Sequence, residues 1–201
     1  MAVKKAIGCV SRIIRKHTAP PVFKKIYAAV FLPRLLYGVE LCFPYRIVPP
    51  GSQNAPPNST LGTRLFERVH LFAARAITNI YQQDAQPVQV LKAAQFPTFS
   101  QLAWSRRLKQ FYHYVKGDRF LPPLLAPLPA RHRRFQTFVQ YKPAFLSGMF
   151  TRSQNSFFSR TPKIWNILPP KIFYDYKNFC QFLDTVEFYN VLEKQGIKPI
   201  W

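Results

Sequence analysis

Along most of the chain, apolar residues recur at three- and four-residue steps, the period of an amphipathic helix. Residues 3–16 predict a short basic helix with Ile7, Val10, Ile13 and Ile14 on one face. Pro20 and Pro21 open a second helix, running from Val22 to about Phe43. Val22, Ile26, Ala29, Val30, Leu36 and Val39 set its period, and Pro33 is expected to kink it. The clearest pattern spans Leu61 to Tyr81, where Leu65, Val69, Phe72, Ala73, Ala76, Ile77 and Ile80 define an inward stripe. A shorter helix over Val88–Gln95 stops at Phe96-Pro97-Thr98. Ser100 then offers an N-cap for a helix reaching Gly117, with Leu108, Phe111, Tyr112 and Val115 buried. Asp175 to Lys194 reads as one terminal helix, with Phe179, Phe182, Leu183, Val186 and Leu192 inward.

Between these runs the pattern fails. Val48 to Gly62 is a proline- and asparagine-rich linker, and Phe120 to Ala130 (FLPPLLAPLPA) holds too many prolines for a helix or a central strand. Residues 131–155 show no period, with room for one hairpin, for instance around Gln136 to Tyr141. The expected fold class is therefore mostly α: two helical groups, then a Pro-rich, irregular basic segment before a C-terminal helix. The organisation expected is N-terminal helices over 1–47, a linker over 48–62, a helical bundle over 63–118, and a basic segment with the terminal helix over 119–201.

In SFFSRTPKIWNILPPKIF (Ser156–Phe173), Thr161 suits an N-cap and Pro162 the first helical position. Ile164, Trp165 and Leu168 then share one face, with Phe157 or Phe158 beside it, which makes Trp165 a structural anchor. Arg160 and Lys163 would lie at that helix's N-terminus, where cations oppose the dipole unless a phosphate sits between them and the free N–H groups.

Charge changes the picture most. The chain carries 29 Lys and Arg against 8 Asp and Glu, a net charge of +21 over 201 residues. No acid precedes Glu40, and none lies between Arg119 and Tyr174. A single-sign excess of this size points to a polyanionic partner, nucleic acid first. Three basic tracts interleave with aromatics able to stack bases. They are Lys4, Lys5, Arg12, Arg15, Lys16, Lys24 and Lys25; Arg106, Arg107 and Lys109 beside Tyr112 and Tyr114; and Arg131, Arg133 and Arg134 ahead of Phe135, Phe138, Tyr141 and Lys142. Arg160 and Lys163 complete the candidate set.

Enzyme signals are weak. Asp184 and Glu187 are the nearest helical carboxylates, a spacing typical of a solvated face. The four histidines fall on separate segments, and there is no phosphate-binding glycine loop, zinc signature or neighbouring aspartate pair for magnesium. No catalytic residue, cofactor, metal or small-molecule substrate is expected. Three scattered cysteines indicate a reducing, intracellular compartment, nuclear or cytoplasmic. The best apolar run, Ile26 to Phe43, is broken by Pro33, Arg34 and Glu40 and does not predict membrane insertion. The acid-free N-terminus has the composition of a mitochondrial presequence, so a small basic structural protein of a ribonucleoprotein is the alternative reading.

The order of the segments resembles the region following the polymerase palm in non-LTR (LINE-type) retrotransposon reverse transcriptases. Pro33, Leu35 and Tyr37 match a Pro-x-Leu-x-Tyr helix. Glu67 and Arg75 match the next helix, with His70 where Gln is usual. Arg106, Arg107, Lys116 and Gly117 match an Arg-Arg helix, and FFSRTPKIWNILPPKIF matches a closing Phe-Phe-x-x-Arg…Trp-Asn-x-Leu-Pro element. The resemblance implies a thumb and post-thumb region that grips RNA or RNA–DNA template–primer through its backbone, without the catalytic aspartates. It implies that the palm and fingers of a polymerase are partners, and that Tyr37, Trp165, Asn166, Leu168 and Pro169 are structural anchors.

Overall fold

The structure is a computed structural model that describes residues 4–9, 20–39, 61–81, 85–116, 125–127, 139–141 and 157–195. At 61–64, 125–127, 139–141 and 158–160 it describes the backbone alone. The fold is mostly α, as the apolar periodicity requires. Among the described residues the helices are α1 (residues 4–9), α2 (Pro20–Ile26), α3 (Leu32–Leu35), α4 (Leu61–Thr78), α5 (Pro87–Ala93), α6 (Phe99–Lys116), α7 (Phe157–Trp165), α8 (Tyr176–Leu183) and α9 (Val186–Lys194). Two three-residue strands, β1 (Leu125–Pro127) and β2 (Val139–Tyr141), pair antiparallel with Leu125 opposite Tyr141. The expected hairpin position thus supplies β2, and its partner comes from the proline-rich run, where a two-stranded ribbon leaves each strand an unpaired edge.

The chain divides into two compact units, and the division falls inside α6, between Leu102 and Ala103. Of the linker expected over 48–62, residues 48–60 lie outside the described residues, and Leu61 and Gly62 already belong to α4.

In the first unit α2 and α3 are joined by a π-helical turn, Tyr27–Phe31, in which the Leu32 N–H donates to the Tyr27 carbonyl. Pro33 can donate no N–H, and its ring crowds the carbonyl four residues back, so the wider turn replaces the expected kink. The segment is apolar on two faces, and of the predicted stripe Leu36 and Val39 are buried while its N-terminal part is not. Phe23, Tyr27, Phe31 and Leu35 are buried, whereas Val22 and Val30 are 41% and 42% exposed. The aromatic stripe removes more apolar area from water than the aliphatic one, and it wins. Gly38, at φ 66°, ends the segment, and Tyr37 beside it is 87% exposed. Tyr37 is therefore not an anchor. In α4, Ala73, Ala76 and Ile77 face inward as predicted, but Leu65 is exposed. Ala74 packs with Val90 and Leu91 of α5 and with Ala94, its C-cap, in a small core closed by Leu71, Ile80 and Phe96. Gln95 takes a left-handed conformation (φ 54°) that ends α5, with the Phe96 N–H returning to the Leu91 carbonyl at 2.9 Å.

The second unit is built around Trp165. It is fully buried against Phe173 (ring centroids 4.2 Å apart), Phe111 (5.2 Å) and Phe179 (5.6 Å). Ile164, Leu168 and Phe157 are buried with it, as the sequence pattern predicts. Asn166 and Pro169 form the turn: the Asn166 N–H donates to the Pro162 carbonyl at 2.9 Å, and Pro169 leads into a 3-10 turn, Pro170–Phe173. The terminal helix is broken into two. Asp184 and Thr185 interrupt it, and the Thr185 hydroxyl caps α9 by accepting from the Phe188 N–H at 3.4 Å. The break rotates the register, so Phe188 is buried and Val186 is 71% exposed, reversing the expectation for Val186.

Candidate nucleic-acid interface

A basic surface binds phosphate only with the charges that the fold leaves exposed. In the first unit these follow from a buried polar network between α4 and the start of α6. Glu67 is 1% exposed. Its carboxylate accepts from the Phe99 N–H (3.1 Å), the Ser100 N–H (2.9 Å) and the Ser100 hydroxyl (2.7 Å). Thr98 and Gln101 complete a reciprocal cap: the Gln101 N–H donates to Thr98 Oγ1 at 3.2 Å, and the Thr98 N–H to Gln101 Oε1 at 2.7 Å. The helix therefore starts two residues earlier than expected, and its N-cap is Thr98, not Ser100. A Thr-x-x-Gln box was present in the sequence and satisfies two groups where Ser100 alone would satisfy one. Burial pushes the Glu67 carboxyl above the usual carboxylate range, and the bonds from Ser100 and Phe99 oppose that shift.

One turn along α4, His70 is fully buried. Its Nε2 lies 2.9 Å from the Pro97 carbonyl, which can only accept, so Nε2 carries the proton. Nδ1 then accepts from the Tyr27 hydroxyl at 2.7 Å. Burial holds the imidazole neutral, with a pKa lowered to about 4 against the Pro97 bond, which works the other way. Burial, then the nearby Glu67 charge, raises the Tyr27 hydroxyl well above its ordinary value. These polar side chains join the π-helical turn after α2, α4 and the Pro97 turn, and they serve the fold.

The electrostatic consequence is specific. A helix N-terminus is a ready anion site, and at α6 that site is filled by the protein's own Glu67. At α8 it is filled by Asp175, which accepts from the Lys177 and Asn178 N–H groups at 3.2 and 3.4 Å. Beside α6 and α8, phosphate contacts therefore fall to side-chain cations. Among the described residues of the first unit, Glu67 is the only carboxylate, and Lys4, Lys5, Lys25, Arg34, Arg68 and Lys92 are exposed. Lys24 is tied down, donating to Gln95 Oε1 at 3.0 Å and lying 5.4 Å from the Phe96 ring centroid.

In the second unit Arg106 is exposed and Lys109 half-buried, but Arg107 is 3% exposed. Its Nε donates to Thr161 Oγ1 at 2.8 Å, and its guanidinium lies 5.1 Å from the Trp104 ring and 5.2 Å from that of Phe157. The Thr161 hydroxyl in turn donates to the Phe157 carbonyl at 2.6 Å. Two corrections follow. Arg107 is a packing residue that cannot reach a phosphate, although its neighbour Arg106 can. Thr161 is not an N-cap, because α7 begins at Phe157, one turn earlier, and holds Pro162 within it. Lys163, exposed in the last turn of α7, complements the helix dipole there, so no phosphate is needed to explain it. For Arg160 only the backbone is described. Arg12, Arg15, Lys16, Arg131, Arg133, Arg134 and Lys142 lie outside the described residues. Lys25, predicted in the first basic tract, is exposed; the exposed cations Arg34, Arg68 and Lys92 were not in the predicted set. Their signal was their position opposite the buried face, which is readable only once that face is known.

Among the described residues no group of three His, Cys, Asp or Glu could hold a metal ion, and no helix is long and apolar enough to cross a membrane.

Comparison with protein-family models, curated proteins and solved structures gave no match.

Proposed function

We propose that this chain binds RNA or RNA–DNA duplex through the phosphate backbone, without sequence specificity and without catalysing a reaction itself. We further propose that it derives from the thumb and post-thumb region of a non-LTR retrotransposon reverse transcriptase. The observation that carries the binding reading is the charge of the first unit: its one described carboxylate is buried on two backbone N–H groups, which leaves cations alone on the described surface. Such a surface releases counterions from any nucleic acid it meets, whatever the bases. The family reading is supported by the order of the motifs along the chain and by the core positions that Trp165 and Leu168 occupy. A motif whose residues build a core travels with a fold rather than with a reaction.

The binding reading is tested by fluorescence anisotropy of the full chain against several unrelated RNA sequences and an RNA–DNA hybrid of equal length. Affinities for the RNA sequences within about threefold of one another are expected, because phosphate contacts carry no sequence information. Discrimination of tenfold or more between sequences, or no binding, refutes it. The family reading is tested in the genomic DNA upstream of the coding sequence, where an Asp-Asp palm motif is expected in or near frame.

A further inference from the structure

One guanidinium in the first unit is enclosed without being satisfied. Arg75, in the last turn of α4, is half-buried, and its Nε is shut off from solvent with no hydrogen-bond partner among the described residues. A guanidinium stays charged at any ordinary pH, so an enclosed N–H with no acceptor costs its full desolvation. Attraction to the helix C-terminus favours the charge there but gives Nε nothing to donate to. Arg107 shows the contrast, since its buried Nε donates to Thr161 Oγ1. Among the described residues of the first unit the one carboxylate, Glu67, is committed to Phe99 and Ser100 from another face of α4.

The helical period places Arg68, Phe72 and Arg75 on one face of α4, each a turn from the next. Helix α1 lies against that face: Lys4 Nζ is 5.5 Å from the Phe72 ring centroid, and a Cβ on Gly8 would lie 3.9 Å from Phe72 Cζ. Lys4 and Arg68 are exposed. We infer that Arg75 is a directed phosphate ligand, taking one backbone phosphate of a bound nucleic acid, with Lys4 and Arg68 beside it to meet the adjoining ones. Phosphate fits the orphaned donor because two of its oxygens can accept from Nε and a second guanidinium N–H together, in a planar fork that lysine cannot reproduce. The inference rests on the reading of the chain as a nucleic-acid binder and adds to it a contact fixed by geometry as well as by charge.

The test uses the full chain, an RNA–DNA duplex and two readouts. By anisotropy, Arg75→Lys, which keeps the charge but not the fork, should weaken duplex binding about 10-fold or more, the worth of one hydrogen bond to a charged group, whereas Arg68→Lys should stay within about threefold. In a proton–nitrogen correlation spectrum of the intact chain, the Arg75 Nε–H resonance, assigned through its own side-chain carbons, should shift downfield when the duplex is added. Inorganic phosphate at equal phosphate concentration is the free-anion arm. Undiminished binding by Arg75→Lys overturns the site and leaves the broader reading standing. So does an Nε–H resonance unmoved at saturation with duplex, a readout that does not depend on whether the variant folds. A resonance moved by inorganic phosphate but not by duplex assigns Arg75 to a free anion and overturns the backbone contact. An intact chain that binds no duplex overturns both readings.

Discussion

His70 makes the stability of the first unit depend on pH in a way that one substitution can isolate. The imidazole is neutral and enclosed, with Nε2–H bonded to Pro97 and Nδ1 accepting from Tyr27. Its pKa falls from 6.5 in the unfolded chain to about 4 in the fold, so between those values the unfolded state binds more protons and stability rises with pH. The contribution is fully present above pH 6.5 and is lost as pH falls through the window to about 4. At 1.36 kcal/mol per unit, the loss is about 3 kcal/mol. Glu67, one turn away, works in the opposite direction. Its carboxyl is raised, so the folded state binds the extra proton there, and rising pH costs stability from the ordinary carboxylate range up to the folded value. The raw pH profile mixes the two.

His70→Gln separates them. A Gln amide offers one donor for Pro97 and one acceptor for Tyr27, the same pair as the neutral imidazole, and it does not titrate. At pH 7 the variant should lose no more than ~1.5 kcal/mol, roughly the worth of one hydrogen bond made poorly. In urea unfolding from pH 7.5 down to 4, the wild type should lose about 3 kcal/mol more than the variant. Parallel profiles for the two proteins would refute the reasoning and show that His70 is solvated. His70→Ala, by contrast, leaves the Pro97 carbonyl and the Tyr27 hydroxyl without their partner and opens a cavity, at a cost of ~3–5 kcal/mol at any pH.

Other consequences separate packing residues from surface ones. Trp165→Ala should destabilise the fold by ~3–5 kcal/mol, read as a lowered denaturation midpoint, and an unchanged midpoint would contradict its role as the centre of the second unit. Arg107→Ala should cost ~2–4 kcal/mol through the loss of Thr161 and the two flanking rings, with Arg107→Lys a poor substitute. Arg106→Ala should reduce the salt dependence of nucleic-acid binding by about one phosphate contact. Tyr37→Ala should change stability by less than ~0.5 kcal/mol, and a larger loss would restore the anchoring role that its exposure denies.

The sequence pattern was most informative where one face of a segment was apolar and the other was not. Ile164, Trp165 and Leu168, or Leu108 and Phe111, had no competing way to pack, and all are buried. It misled where both faces were apolar. Over α2 and the π-helical turn the aliphatic period passed through Val22 and Val30 and the aromatic one through Phe23, Tyr27 and Phe31, and only the tertiary fold decides which is covered. It was also silent on buried polar groups. Glu67 and His70 are spaced one helical turn apart, as solvated residues often are, and their partners lie at Phe99, Ser100, Pro97 and Tyr27, too far along the chain for periodicity to reveal. Boundaries moved for a local reason in each case. Thr98 forms a two-way cap with Gln101, Thr161 uses its hydroxyl within the helix, and Thr185 restarts a helix that apolar spacing had run through. The interface inherits the same limit: the excess of Lys and Arg was plain, but Arg106 and Arg107 are adjacent in sequence, and only one of them faces solvent.

The central claim is that this surface binds nucleic acid by charge, and its most direct test is the slope of affinity against salt for an RNA–DNA duplex. If about five phosphates are neutralised, the logarithm of the association constant should fall with a slope near −4.5 against the logarithm of salt concentration. Raising salt from 50 to 200 mM should then weaken binding by roughly 500-fold. An affinity unchanged over that range would contradict the account.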